Sequence, residues 1–292
     1  METWKRTVYI SLVCVFCTAF GVSQLAPILP LYFHDLGVQT PEAMSLWSGL
    51  ATGATYIIVC LAAPFWGRVA DKKGRKITLI RSSFGMALCN VLIAFQTTPE
   101  GVVLIRLIQG LVSGFYSASI TLIASETPIE RTGWALGLLA SANLAGSLIG
   151  PLLGGYIADT VGIRNDFIIV GALMGLAGVL ATIFIHENYV PQPNPEKLSI
   201  RKLKEQIPEF NSIVALCVAS FIYAICIMSL QPVISVYIKG IVPSDTENLA
   251  FIAGAVFSAM GIAQLMSSSP LGKLVDKIGP RKVLVVSLIY VG

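Results

Sequence analysis

Apolar residues fill this chain in long blocks, and charged positions are confined to the seams between them. Stretches free of Asp, Glu, Lys and Arg run over 7–33, 43–67, 82–99, 107–125, 132–158, 167–186, 210–238, 248–272 and 283–292. About 20 mostly apolar residues carry a helix across the hydrocarbon layer of a bilayer. Eight blocks are long enough to span, the third by starting near Ile77 with Arg81 snorkelling toward the interface. The ninth stops with the sequence. Backbone groups find no water in lipid, so a span bonds internally as a helix or closes into a barrel. The blocks do not alternate polar and apolar positions, which excludes the barrel. The pattern predicts an all-α polytopic membrane protein.

The seams repeat. Gly67-Arg68-Val69-Ala70-Asp71-Lys72-Lys73-Gly74-Arg75-Lys76-Ile77-Thr78-Leu79 returns as Gly272-Lys273-Leu274-Val275-Asp276-Lys277-Ile278-Gly279-Pro280-Arg281-Lys282-Val283-Leu284, 205 positions on. Pro27 and Tyr32 match Pro232 and Tyr237 at the same offset, as Gly49 matches Gly254. A duplicated half explains three matches in one register. The expected organisation is a six-helix bundle over 1–187, a cytoplasmic linker over 188–209, and the start of a second, incomplete bundle over 210–292. In the linker, Pro191, Pro193 and Pro195 break away from the sixth helix. Ile200, Leu203, Ile207 and Phe210 then recur near helical spacing among basic residues, which reads as a surface amphipathic helix or a solvated connection. Leu79 and His186 are 107 positions apart, so a copied second half would extend from Leu284 to about residue 391. The expectation is that roughly 100 further residues complete the second bundle.

Composition and charge sharpen this picture. The chain is 55% hydrophobic and 12% charged, against about 25% charged in a soluble domain. Seventeen Lys and Arg fall on one side of the predicted spans and only Arg164 and Lys239 on the other, with Arg106 inside a helix. Basic loops stay in the cytoplasm, which puts the amino terminus and the 67–81 loop there. The six cysteines lie in apolar runs, where cysteine packs as a small hydrophobe. Cys14-x-x-Cys17 has redox spacing without a βαβ context.

Candidate chemistry is sparse. Arg106-Leu107-Ile108-Gln109-Gly110 places a cation inside the fourth helix, which is costly and marks either function or a structural hydrogen bond. Gly146, Gly150 and Gly154 repeat every fourth residue beside Pro151 and Gly155, giving the fifth helix a smooth face and an expected kink. Gly254 and Gly261 give the eighth helix a face that could meet it. No acid is expected mid-helix; His34, Asp35 and Asp71 are the titratable candidates for carrying a proton, His34 and Asp35 reading equally as a solvated loop. Gln24, Tyr116, Asn143, Tyr223 and Gln231 are the polar or aromatic residues expected to line a cavity. No catalytic constellation and no metal-ligand spacing is present in the sequence, since neither histidine sits near a candidate nucleophile and no His-Glu-x-x-His occurs. A nucleic-acid partner is not expected.

These stretches resemble one family. Residues 67–79 are similar to the loop signature of the major facilitator superfamily, G-x-L-A-D-x-x-G-R-K-x-x-L, departing at Val69. Arg106, Gln109 and Gly110 resemble its fourth-helix signature. Gly146, Gly150, Pro151, Gly154 and Gly155 resemble the fifth-helix antiporter motif of its twelve-helix drug:proton antiporters. Pro27-x-x-Pro30-x-Tyr32 and Trp47-Ser48-Gly49 further resemble a multidrug-exporter subgroup of that family. The resemblance implies a major facilitator fold of two six-helix bundles, in the plasma membrane as a monomer. It implies export of lipophilic drugs or related small molecules by proton antiport and alternating access, driven by the proton gradient and needing no bound cofactor. Gly67, Asp71, Gly74, Arg75 and Lys76 would form a gating loop in which Asp71 latches the bundles and Arg75 pairs with Glu126. Arg106, Gln109 and Gly110 would couple protons. The second copy, Gly272, Asp276 and Gly279, has Pro280 in the place of Arg75, so only the first copy is expected to latch fully. An uptake carrier for a small metabolite is the alternative within transport, disfavoured by the fifth-helix motif. A receptor or scaffold is the alternative outside it.

Overall fold

The computed structural model describes residues 3–187, 210–242, 248–278 and 286. Among them ten helices run in order: α1 Thr3–Ser23, α2 Leu25–Asp35, α3 Pro41–Lys73, α4 Arg75–Ala94, α5 Pro99–Val112, α6 Phe115–Glu126, α7 Ile129–Val161, α8 Ile163–Phe184, α9 Phe210–Ile241 and α10 Leu249–Ile278. They make eight spans. The first is α1 plus α2, jointed at Gln24. The fourth is α5 plus α6, interrupted at Ser113 and Gly114. The remaining six are single helices. The linker 188–209, including its candidate amphipathic helix, and most of the ninth block lie outside the described residues.

Local chemistry sets the helix ends. Thr40 and Thr98 each stand before a proline at the first helical position. Their hydroxyls accept from the amides of Ala43 at 3.3 Å and Gly101 at 3.2 Å. Glu42 and Glu100 follow in the first turns, where the helix dipole favours an acid. At the opposite end of the spans, one residue, Gly74, turns α3 into α4 with φ +94°. A side chain would strain that conformation, so glycine is required.

Duplication is visible in the helix ends. Moving the end of α2 by 205 positions predicts an end at 240, and α9 ends at Ile241. The copies differ at the joint: the first span is divided at Gln24, whereas α9 runs through the corresponding region unbroken.

The spans bury their small and polar faces and turn large apolar side chains outward. Leu61 and Phe95 are 71% and 67% exposed, as suits a surface solvated by lipid. Cys14, Cys17 and Cys89 are buried and all six cysteines are free thiols. Cys14 Sγ donates to the Ala177 carbonyl at 3.3 Å, which makes it a packing residue. Arg81 lies over the Trp66 ring, 3.5 Å from the centroid, and donates to the carbonyls of Leu111 and Ser113 at 3.2 and 3.0 Å. Those carbonyls end α5 and need donors because Gly114 interrupts the span.

Candidate functional site

The basic end is the end with Arg6, Gly74 and Arg131; the far end carries Asp35, Pro41, Gly162 and Ile241. Between them α7 is the axis, and its small residues face two ways. Gly146 and Gly150 face α1: a Cβ on Gly146 would stand 2.6 Å from the Phe16 carbonyl oxygen, and one on Gly150 2.5 Å from that of Phe20. Gly154 faces Gln24. Gly155 faces α10 instead, where its Cβ would overlap the Ala250 carbonyl. Gly254 of α10 in turn lies against the Pro151 carbonyl, and Gly261 against Leu148. So the four-residue glycine repeat packs inside the first bundle, and the neighbouring face meets α10. This separates two contacts that the sequence left merged.

Polar groups reinforce the seam between the halves. The Asp159 carboxylate accepts from the amides of Ala250 and Phe251 at 3.1 and 2.7 Å, capping the start of α10. Ser258 donates to the Leu148 carbonyl at 2.6 Å. On the other flank, Ser235 of α9 donates to the Ala26 carbonyl at 3.3 Å. All these contacts fall from the far end to about mid-span. Toward the basic end, Val214, Val218 and Phe221 of α9 and Leu265 and Met266 of α10 are exposed.

The loop signature sits at the basic end. Asp71 is exposed in the last turn of α3, with Gly67 one turn earlier. Asp71 lines a cavity of about 320 Å³ with Trp66, Arg75, Arg81, Gly110 and Ser113. Glu187, which the sequence did not single out, holds the start of α4. Its two carboxylate oxygens accept from the amides of Arg75 and Lys76, each at 2.8 Å. Lys76 Nζ donates to the Thr182 carbonyl at 2.9 Å, and Arg6 donates to His186 Nδ1 at 2.7 Å. The loop is therefore fastened to the end of α8. Glu126, the acid expected near Arg75, is the half-buried last residue of α6. Gly272 and Asp276 fall in the last turns of α10, but their side chains, like Gly279, lie outside the described set.

Arg106 is 6% exposed on α5 and donates to Gln109 Oε1 at 2.7 Å. Its Nε has no hydrogen-bond partner among the described residues. Gly110 brings α5 against α3: a Cβ there would stand 2.5 Å from the Thr55 carbonyl oxygen. Thr55 also bonds the Arg106 carbonyl at 3.0 Å. The three residues thus form one unit, a buried cation, its acceptor, and the close approach that fixes both.

Of the cavity candidates, Gln24 is fully buried in the joint of the first span, and its Nε2 donates to Asp166 Oδ2 at 3.0 Å. Asp166 is buried one turn into α8. The charge-free block began only at 167, which put this acid in the loop. Tyr116 packs half-buried against the core cluster around Leu122 and Leu139. Asn143 and Gln231 are half-buried on α7 and α9. Tyr223 lies on α9 with its side chain outside the described set.

Eight apolar spans, the last of them packed on the fifth across glycine faces, define a polytopic helical membrane protein. The Major Facilitator Superfamily model matches residues 11–292, and the chain belongs to that superfamily of membrane transporters. It is 37% identical over 287 residues to the multidrug resistance protein MdtG of Proteus mirabilis (strain HI4320), covering 98% of this chain and 71% of that protein. It is 37% identical over 286 residues to MdtG of Salmonella typhimurium, covering 98% and 70%. Among solved structures it is similar to a bacterial homolog of the human lysosomal transporter Spinster in an inward-facing, unoccupied conformation. That match has a TM-score of 0.71 at 13% identity, covering 96% of this chain and 64% of that one. It is also similar to the human organic anion transporter MFSD10, with a TM-score of 0.62 at 16% identity, covering 89% and 72%.

Proposed function

We propose that this protein exports lipophilic small molecules across the cell membrane in exchange for protons, by alternating access. The observation that carries the reading is the seam between the halves. Its named contacts run from the far end to mid-span, and on both helices they set backbone against glycine. Such a seam has few long side chains to disengage, so it suits two bundles that rock as rigid bodies about a midplane cavity. The excess of Lys and Arg favours a cytoplasmic basic end, and in that orientation the arrangement would open inward. The predominantly apolar spans, and relatives named as multidrug resistance proteins, support a lipophilic cargo. Asp71 and Arg75 beside the basic-end cavity would serve the closing of that end, and Arg106 with Gln109 the coupling to protons. The test is efflux of a lipophilic fluorescent dye from cells lacking their own pumps and expressing the protein, with and without an uncoupler. Dye retention that falls on expression and recovers with uncoupler supports the proposal; efflux unaffected by uncoupler, or none, contradicts it.

A further inference from the structure

Antiport needs a place to hold a proton, and the most deeply buried acid among the described residues belongs to none of the motifs. Asp166 and Gln24 are both 0% exposed. They come from segments 142 positions apart and meet where α1 joins α2. Gly154 makes room for the meeting: a Cβ there would overlap Gln24 Oε1 and stand 2.6 Å from the Gln24 Cβ. The carboxamide is thus wedged between α7 and the start of α8.

Hydrogen-bond accounting separates the two protonation states. A carboxylate only accepts, whereas a carboxylic acid donates once. Gln24 Nε2 already donates to Asp166 Oδ2. Asp166 Oδ1 and Gln24 Oε1 are both buried and have no hydrogen-bond partner among the described residues. Two acceptors cannot satisfy each other. With one proton on Oδ1 they can: Oδ1–H donates to Oε1 while Nε2–H donates to Oδ2, closing a cyclic acid–amide pair. We propose that Asp166 and Gln24 form a proton-binding site at the joint of the first span, loaded in the far-end-closed arrangement seen here.

The step is a simple protonation. A proton from water adds to Asp166 Oδ1, one O–H bond forms, and the charge of the site goes from −1 to 0. Release regenerates the carboxylate, which needs water because a charged carboxylate with one donor is costly in apolar surroundings. Gly155, next to Gly154, packs on Ala250 of α10, so parting α7 from α10 at the far end would admit the water that brings the proton, and closing that seam leaves the site loaded in the arrangement seen here. The surrounding elements carry other titratable groups, each otherwise placed. Tyr32 donates to the Ile93 carbonyl at 2.7 Å, Asp159 caps α10, and Arg164 donates to the Gln96 carbonyl at 3.5 Å. His34 and Asp35 pair with each other at 3.8 Å. Cys14 and Cys17 on α1, Tyr156 on α7, Cys89 on α4 and Lys239 on α9 are titratable too, and none of these bonds Asp166, whose one side-chain hydrogen bond among the described residues is to Gln24. The site's role in transport rests on the antiport reading; its proton binding does not.

The experiment is infrared difference spectroscopy of the purified protein in liposomes between alkaline and acidic buffer, with dye efflux measured across the same pH range. Wild type should show a pH-dependent carbonyl stretch of a protonated carboxyl group. Asp166→Asn, which keeps the shape and the cyclic pairing, should lose that band and at least tenfold of the pH dependence of efflux. Gln24→Leu should keep the band but move its frequency. A band unchanged in Asp166→Asn, or a frequency unmoved in Gln24→Leu, overturns the site. Loss of the band in Asp166→Asn with no efflux from wild type upholds the site and refutes export. Uncoupler-sensitive efflux with the band indifferent to Asp166→Asn refutes the site and leaves export standing.

Discussion

Replacing Gly155 by alanine adds one methyl group where α7 meets α10. That Cβ would stand 2.7 Å from the Ala250 carbonyl carbon and 2.9 Å from the Phe251 Cα, against an ordinary contact of 3.4–4 Å. The obstructing atoms are backbone, so no rotamer relieves the overlap. The helices must part by about 0.7 Å or more, the difference between 3.4 and 2.7 Å. Overpacking of this kind costs roughly 1–3 kcal/mol. Only the closed far end bears the cost, so the equilibrium between far-end-closed and far-end-open forms moves roughly 5- to 150-fold toward open. Spin labels at Thr160 and Asn248, both exposed beside the seam, would report this as a distance distribution, with exposed Cys60, Cys217 and Cys226 replaced. Wild type should give mainly the short distance, and Gly155→Ala mainly a longer one. Gly137→Ala is the control: it lies on the same helix with nothing within 4 Å of its Cβ. If Gly155→Ala gave the same distribution as Gly137→Ala, the seam would not hold the far end closed.

Arg106→Lys keeps the charge but loses the planar donor fork that reaches Gln109. Efflux should fall at least tenfold, nearly as far as in Arg106→Ala; full activity with lysine would show that charge alone matters. Glu187→Ala strips the acceptor from two α4 amides, which should destabilise the protein by ~0.5–2 kcal/mol. That should appear as a lower melting midpoint in detergent, with Glu187→Gln intermediate, and an unchanged midpoint would mean the cap is idle. Asp71→Asn should abolish most export with normal membrane insertion, and Asp276→Asn should do less because Pro280 stands where Arg75 does; equal losses in an efflux assay would count against the asymmetry.

The spans were legible because lipid forbids charge and unpaired backbone alike, so a charge-free block is nearly a helix on its own terms. The duplication was legible to within one residue: the offset from the loop signature, applied to the end of α2, gives 240, and α9 ends at Ile241. What the blocks hid lies at their margins and in helix rotation. Asp166 looked like a loop residue because a block ends at its first charge, while α8 starts three residues earlier, at Ile163, and carries the acid inside. Glu187 is one step beyond a block, and its partners are backbone amides that leave no mark in sequence. The breaks at Gln24 and Gly114 fall within continuous apolar runs, where composition is silent about a lost turn. The glycines of α7 announced close packing, but the division of partners, α1 against Gly146 and Gly150 and α10 against Gly155, depends on helix rotation.

The central claim, exchange of a lipophilic compound for protons, is tested most directly in proteoliposomes holding a pH-sensitive dye in an acidic lumen. Added compound should draw protons out as it enters, so the lumen should become more alkaline, in proportion to the compound taken up and to the protein present. A lumen that stays acidic while compound enters, or becomes more acidic with it, would contradict exchange and point to a uniporter or a symporter.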